Sequence, residues 1–287
     1  MRRVIAAAAC VFAALLVTAC GSSSSSSSSS STTSAAATSS SGSSSATIDG
    51  VTVAADPALH AMLPTAIAQS GQVTVAEDPT EPPWGYFTSP GSKQFTGAEY
   101  DLGQAIAAKL GVKFVVKDVL FTGIIPGILA GKYQVGLANM GDRKTREASL
   151  DFVDYLLDGD GLLVAKGNPD HITSLASLCG KTLAITAGST FLTYVQSQSK
   201  PVCASKPYQI LTFPSDAETF LAIKAGKAVA TLTDVAEAAY VARTSDGGNA
   251  FDPVRDPKAP QGYAVAWIGM AVSKADAQLA QAMLKAQ

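Results

Sequence analysis

Apolar runs of strand length alternate with helical segments, three of which end on glycine, and this order leaves few architectures open. Residues 72–76 read as a strand. Residues 99–110 read as a helix, with Leu102, Ile106 and Leu110 on one face and Gly111 closing it. A strand at 112–116 follows, then a short helix at 123–130 with Pro126 in its first turn and Gly131 after it, then a strand at 134–138. This order predicts a mostly parallel sheet covered by helices. A second set begins near residue 162, with strands at 161–165 and 182–186 and a helix opening at Ala187-Gly188-Ser189-Thr190 and running to about Gln198. A strand at 209–213 comes next. Ser215-Asp216-Ala217-Glu218 then fits a capping box for a helix that ends before Gly226. A strand at 229–233 leads into a helix that begins at Asp234. No short period suggests a solenoid.

The first residues are a targeting segment. Arg2 and Arg3 precede an apolar run from Val4 to Leu16, too short for a span of ~20 residues. Val17-Thr18-Ala19-Cys20 resembles a bacterial lipobox, in which Cys20 carries lipid; an ordinary signal peptide cut near Ala19 is the other reading. Residues 21–46 hold ten consecutive serines, Ser22 to Ser31, and nothing apolar larger than Ala, the composition of a flexible tether. Such a coil spans ~25–30 Å on average, so it would leash a globular body to a membrane.

Removing Arg2 and Arg3 from the 21 basic residues leaves 19 against 23 acidic ones, with no basic stripe to suggest nucleic acid. Beyond the leader no run of ~18 apolar residues occurs. With Cys10 in the leader and Cys20 in the lipobox, Cys179 and Cys203 remain. In an exported chain they are expected to form a disulfide, the alternative being two buried thiols. His60, His171 and two scattered cysteines make a poor metal site, and no metal or cofactor is expected.

In open α/β sheets, ligands gather where strands end and helices begin, because free N–H groups converge there. Those places are residues 78–84, 139–146, 188–190 and 233–234.

These stretches resemble the polar amino-acid-binding proteins of ABC transporters, solute-binding family 3. Asp78-Pro79-Thr80-Glu81-Pro82-Pro83-Trp84 is similar to a family motif with an acidic residue shortly before Pro and an aromatic. Gly97-Ala98-Glu99-Tyr100-Asp101-Leu102 resembles the Gly-x-x-x-Asp-Leu helix start. Leu110-Gly111 and Ile128-Leu129-Ala130-Gly131-Lys132 also fit. Arg146 stands six residues before Phe152, as an arginine does before the family's strand start. Gly180-Lys181-Thr182, Ala187-Gly188-Ser189-Thr190 and Thr233-Asp234 match in order.

The resemblance implies an α/β, two-lobed, periplasmic-binding-protein-like (type II) fold with a ligand cleft between the lobes. It divides the chain into a signal peptide at 1–19, a tether at 20–46, a first lobe at 47–162, a second at 163–254, and a return to the first at 255–287. It implies that Arg146 grips a ligand carboxylate with its two-pronged guanidinium, which lysine cannot imitate. Donors near Asn139, Gly141, Ser189 and Thr190 would help. Asp234 would accept from the ammonium, and Trp84 or Tyr86 would wall the side chain. Asp78, Glu81 and Arg143 complete the expected set.

Plainer readings stand beside these. Arg146 pairs with Glu147 or Asp142, Asp234 and Ser189 only cap helices, Asp78 is a turn residue, and Trp84 is core. Glu81 departs from an aromatic and Arg143 from a hydroxyl residue common in the family. Glu81 would attract a cationic side chain and Arg143 an acidic one, or the two pair with each other. Gly141 offers only its backbone. Relatives usually continue past the position of Gln287 through another helix.

The implied function is an extracytoplasmic lipoprotein, expected as a monomer on the outer face of the bacterial membrane, that captures a polar amino acid for an ABC permease. The alternatives are a dehydratase on the same fold, with Glu81 as its acid, or a sensor without transport.

Overall fold

The computed structural model describes residues 45–287; the leader, Cys20 and almost all of the tether lie outside the described residues. Ser45 and Ala46, expected at the end of the tether, already belong to β1 (Ser45–Ile48), which pairs antiparallel with β2 (Val51–Ala54). Then come α1 (Pro57–His60), α2 (Thr65–Ser70) and β3 (Gln72–Glu77). A small antiparallel sheet of β4 (Thr80–Glu81), β5 (Gly85–Phe87) and β6 (Phe95–Thr96) leads to α3 (Ala98–Leu110) and β7 (Lys113–Asp118). After α4 (Phe121–Leu129), β8 (Val135–Gly141) and α5 (Lys144–Glu147), the chain enters β9 (Leu150–Ala165). The second lobe adds β10 (Thr182–Thr186), α6 (Thr190–Cys203), β11 (Gln209–Phe213), α7 (Asp216–Lys224), β12 (Ala230–Asp234), α8 (Val235–Thr244) and β13 (Phe251–Val254). The chain returns through β14 (Tyr263–Ser273) to α9 (Ala277–Ala286).

The α3 helix shows why the sequence pattern is readable. Ile106 and Leu110 are buried, Glu99 and Asp101 stand in the first turn where the helix dipole favours anions, and Gly111 ends the helix at φ 67°. The α4 helix corrects one expectation. It starts at Phe121, two residues earlier than expected, so Pro126 falls inside it and removes an internal hydrogen bond. Ser215 sits at the start of α7 without a side-chain capping bond, so the expected capping box does not form.

The sheet runs β11-β10-β12-β9-β14-β8-β3-β7, with β13 also on β9. Its two flanks are parallel, β3 with β7 and β8, and β10 with β11 and β12. Its centre is antiparallel, because β14 lies between β9 and β8. The expectation of a mostly parallel sheet therefore holds for the flanks only. The strand expected at 161–165 is the last third of β9. Its earlier residues include Asp151, Asp154, Asp158 and Asp160, and charge hides the strand there. Leu150 and Val153 sit in cores with β8 and β14, whereas Leu162, Leu163 and Val164 sit in cores with β10, β12 and β13. One strand thus serves both lobes. Leu279, Ala280, Ala282 and Met283 of α9 pack into the first-lobe core beside Ile106 and Val73.

Cys179 and Cys203 are joined in a disulfide that closes 24 residues and ties the last residue of α6 back to the strand side of the lobe. Closing such a loop is worth ~3 kcal/mol by chain entropy. Reduction, or Cys179→Ser with Cys203→Ser, is expected to lower Tm by roughly 6–12 °C for a chain of this size. Calorimetry with and without reductant checks this; an unchanged Tm contradicts it.

Candidate ligand-binding cleft

The ends of β3, β8, β10 and β12 meet in the cleft, and each delivers a polar residue. After β3 comes Asp78. One carboxylate oxygen accepts from the Phe121 N–H at 2.8 Å and the other from the Thr80 hydroxyl at 2.9 Å. Asp78 therefore holds the start of α4 and so fixes Phe121. It is absent from the cavity wall, where Phe121 stands in its place.

The cavity is lined by Glu81 and Phe121, by Asn139, Gly141 and Arg146, and by Thr186, Ser189, Thr190, Asp216 and Asp234. Six expected site residues are among them: Glu81, Asn139, Gly141, Arg146, Ser189 and Thr190; Asp234 is a seventh. Trp84 is not. Its carbonyl accepts from the N–H groups of Glu99 and Tyr100, and Gly97 at φ 127° makes room for that carbonyl, since a Cβ there would lie 2.1 Å from it. The aromatic wall is Phe121, whose ring centroid is 5.7 Å from the Arg146 guanidinium. Tyr86 instead reaches the other lobe, where its hydroxyl accepts from that of Tyr240 at 3.3 Å.

Arg146 donates to the Gly141 carbonyl at 2.8 Å and to the Gly188 carbonyl of the other lobe at 3.2 Å. It forms no ion pair with Glu147 or Asp142. Burial, then the neighbouring Arg143, lower its pKa to about 10, so it stays charged at neutral pH. Arg143 donates to the Ala264 carbonyl at 2.9 Å and does not pair with Glu81.

Asn139 takes the left-handed backbone region at φ 44°, which asparagine tolerates better than most residues. Its N–H donates to buried Glu99 at 2.7 Å, and its side-chain amide donates to Asp234 across the cleft. Asp234 occupies the N-cap position of α8 without a side-chain capping bond, so its carboxylate is free to face the cleft. Ser189 does cap α6, accepting from the Leu192 N–H at 3.2 Å.

The carboxylates dominate the electrostatics. Glu81 is 5% exposed and one of its oxygens has no hydrogen-bond partner. Burial first, then Asp216, Asp78, Glu237 and Glu99, push its pKa well above the usual range. Burial raises Asp216 to about 7, opposed by a bond from Thr186. Burial, reinforced by Asp158, Asp160 and Asp216, also raises Asp234. Glu237, bonded by Thr233, is raised by burial and by Asp216. Asp216, Glu237, Thr186 and Phe121 escaped the sequence reading. Asp216 was absorbed into a capping motif, and the others carried no local signal. Among the described residues no group of His, Cys, Asp and Glu is arranged to hold a metal ion.

The space left is about 10 Å³, room for one water at most. Asn139 to Asp234, Arg146 to Gly188 and Tyr240 to Tyr86 all cross between the lobes, so a larger guest requires the lobes to part. Opened, the site offers one guanidinium and three carboxylates, Glu81, Asp216 and Asp234. That set complements a molecule with one anionic and more than one cationic group.

Residues 73–287 match the family model described as bacterial extracellular solute-binding proteins, family 3. The chain belongs to that family. This solute-binding protein is 29% identical to an arginine-binding protein of Corynebacterium glutamicum over 67% of its own length and 63% of that relative's. It is 28% identical to the lysine/arginine/ornithine-binding periplasmic protein of Escherichia coli, over 75% of this chain and 80% of the other. Among solved structures, an ancestral arginine-binding protein bound to arginine is 33% identical with a TM-score of 0.65, covering 75% of this chain and 90% of that one. Among the described residues of the solute-binding protein no helix is long and apolar enough to cross a membrane.

Raised carboxyl pKa values make the unliganded protein sensitive to pH. Burial, with Glu99, lifts Glu77 to about 9, and burial lifts Glu99 to about 7. The native state keeps these protons where the unfolded chain has released them. Their stabilisation is complete below the ordinary carboxyl pKa and is lost as pH rises through about 7 and then about 9. Each group contributes at most ~1.4 kcal/mol per pH unit in its window. Without ligand, Tm is therefore expected to fall between pH 5 and pH 9. Glu77→Gln should flatten the fall above pH 7, and parallel curves for variant and wild type contradict this.

Proposed function

We propose that this protein captures an amino acid with a cationic side chain, of the arginine, lysine or ornithine type, and presents it to an ABC import permease. The carrying observation is the charge imbalance of the cavity, three buried carboxylates facing one guanidinium. Arg146 takes the α-carboxylate, helped by the N–H groups at the start of α6. Asp234 takes the α-ammonium, which replaces the Asn139 amide that meets it in the closed cleft. Glu81 and Asp216, from opposite lobes, take the side-chain cation, and Phe121 packs along the aliphatic stem. Because the lobes supply opposite ends of this set, the ligand favours their closure. The names of the relatives support the same class of ligand. Cys20 as a lipid anchor, residues 20–46 as a tether and the outer membrane face as location complete the proposal. It treats 47–162 and 255–287 as one lobe, 163–254 as the other, and the receptor as a monomer.

A calorimetric panel of arginine, lysine, ornithine, citrulline, glutamine and glutamate tests the proposal. Arginine or lysine is expected to bind most tightly, and citrulline, which has arginine's shape without its charge, much more weakly. A site that prefers glutamate contradicts it. Arg146→Ala is expected to weaken binding about 30-fold or more, as loss of a buried charge partner does. Glu81→Gln is expected to narrow the gap between arginine and citrulline while leaving glutamine binding nearly unchanged. A gap as wide as in wild type removes Glu81 from the side-chain subsite.

A further inference from the structure

Next to the acidic cavity, and sharing Arg146 with it, lies a second, larger and partly open chamber of about 450 Å³. The two spaces share only Arg146, Ser189 and Thr190 in their walls. Their chemistry is opposite. The inner cavity holds Glu81, Asp216 and Asp234, whereas the outer chamber is lined by Arg143, Lys144 and Arg146 and by no carboxylate at all. In a chain with 21 basic and 23 acidic residues, such a separation of sign within one cleft is a built feature of the site.

The cations of the outer chamber have capacity to spare. Lys144 is exposed and forms no ion pair among the described residues. Arg143 spends one guanidinium nitrogen on the Ala264 carbonyl. Asp142 and Asp160 feel the Arg143 charge, but neither lines the chamber. Arg143 and Arg146 repel each other, and an anion between them would relieve that repulsion. Hydroxyls of Thr190, Thr193 and Tyr194 line the same space, and the first N–H groups of α6 have no acceptor within their own helix.

We infer that the outer chamber is a second subsite for an anionic group, a carboxylate or phosphate, held by Arg143 and Lys144 beyond the Arg146 partition. The anion is either carried by the ligand itself, as the second residue of a short peptide that begins with a cationic amino acid, or arrives free. The first form rests on the function proposed above. With the α-ammonium on Asp234 and the side-chain cation on Glu81, only the carboxyl end of the ligand faces the chamber. A chain extended from that end passes Arg146 and enters it.

Isothermal titration with the C-terminal amides of L-arginyl-L-aspartate and L-arginyl-L-asparagine, which differ only in the side-chain carboxylate, separates charge from shape, with arginine as reference and succinate and inorganic phosphate as free anions. Wild type is compared with Lys144→Gln and Arg143→Gln. The aspartate peptide is expected to bind about tenfold more tightly than the asparagine peptide, the worth of one charge-assisted contact. Either substitution should bring that ratio toward one. Equal affinities, combined with succinate or phosphate binding that weakens in Lys144→Gln, assign the chamber to a free anion. Equal affinities with no free-anion binding that depends on Lys144 or Arg143 overturn the inference. Failure of arginine itself to bind counts against the proposed function, while the free-anion arm still decides the chamber.

Discussion

Burying a carboxylate away from water costs several kcal/mol unless a cation or donors meet it, and this cleft buries several with a single guanidinium among them. Two remedies exist. The groups keep their protons, as the raised pKa values of Glu81, Asp216, Asp234 and Glu237 indicate, or a cationic guest supplies the missing charge. In the closed cleft burial favours the protonated forms, and hydroxyl bonds from Thr186 and Thr233 and the Asn139 amide on Asp234 meet their oxygens. A cationic ligand uses the second. On the proposed function, binding would exchange protons for a guest cation, and affinity would depend on pH.

The two-lobed frame makes the exchange possible. Each lobe keeps its own apolar cores, and β9 and β14 run between them as paired antiparallel strands. Rotation of one lobe against the other leaves those cores intact and changes only the polar contacts of the cleft. Glu81 and Asp216 belong to opposite lobes, so their mutual repulsion when ionised opposes closure until a cation lies between them. Arg146 and the Gly188 carbonyl act in the other direction, drawing the lobes together.

Much of this was legible in the sequence, and the gaps have physical causes. The strands at 182–186 and 209–213 have the bounds that the pattern predicted; the first is a buried apolar run, and the second an edge strand that leaves Ile210 and Phe213 half-buried. The helix at 99–110 was readable through its period and Gly111. The first half of β9 was legible only at its start, through the resemblance that places a strand at Phe152; beyond it aspartates occupy the strand where it crosses between lobes and the apolar signal lapses. In the site, the resemblance marked Arg146 by its spacing to Phe152 and Asp234 by the Thr233-Asp234 strand end, and the structure puts both in the cavity wall. Asp78 and Trp84 share a stretch with Glu81 but turn elsewhere, Asp78 to the N–H of Phe121 and Trp84 to the start of α3. Asp216 and Glu237 meet only through folding, since neither lies near the other in sequence.

Position 141 bears on the shape of the cleft through the side chain it lacks. A side chain on Gly141 would meet Thr190 at 3.3 Å, and 3.8 Å away lies the Arg143 side chain. The bare backbone lets Thr190 of the second lobe close onto β8, and the Gly141 carbonyl remains open to Arg146 at 2.8 Å. Through that bond Arg146 is held where it lines both the acidic cavity and the basic chamber. Arg143 donates to the Ala264 carbonyl and adds its charge to the chamber. The absence of a side chain at 141 and the presence of one at 143 thus act as a pair. The first allows the lobes to close over Arg146, and the second makes the space beyond it positive.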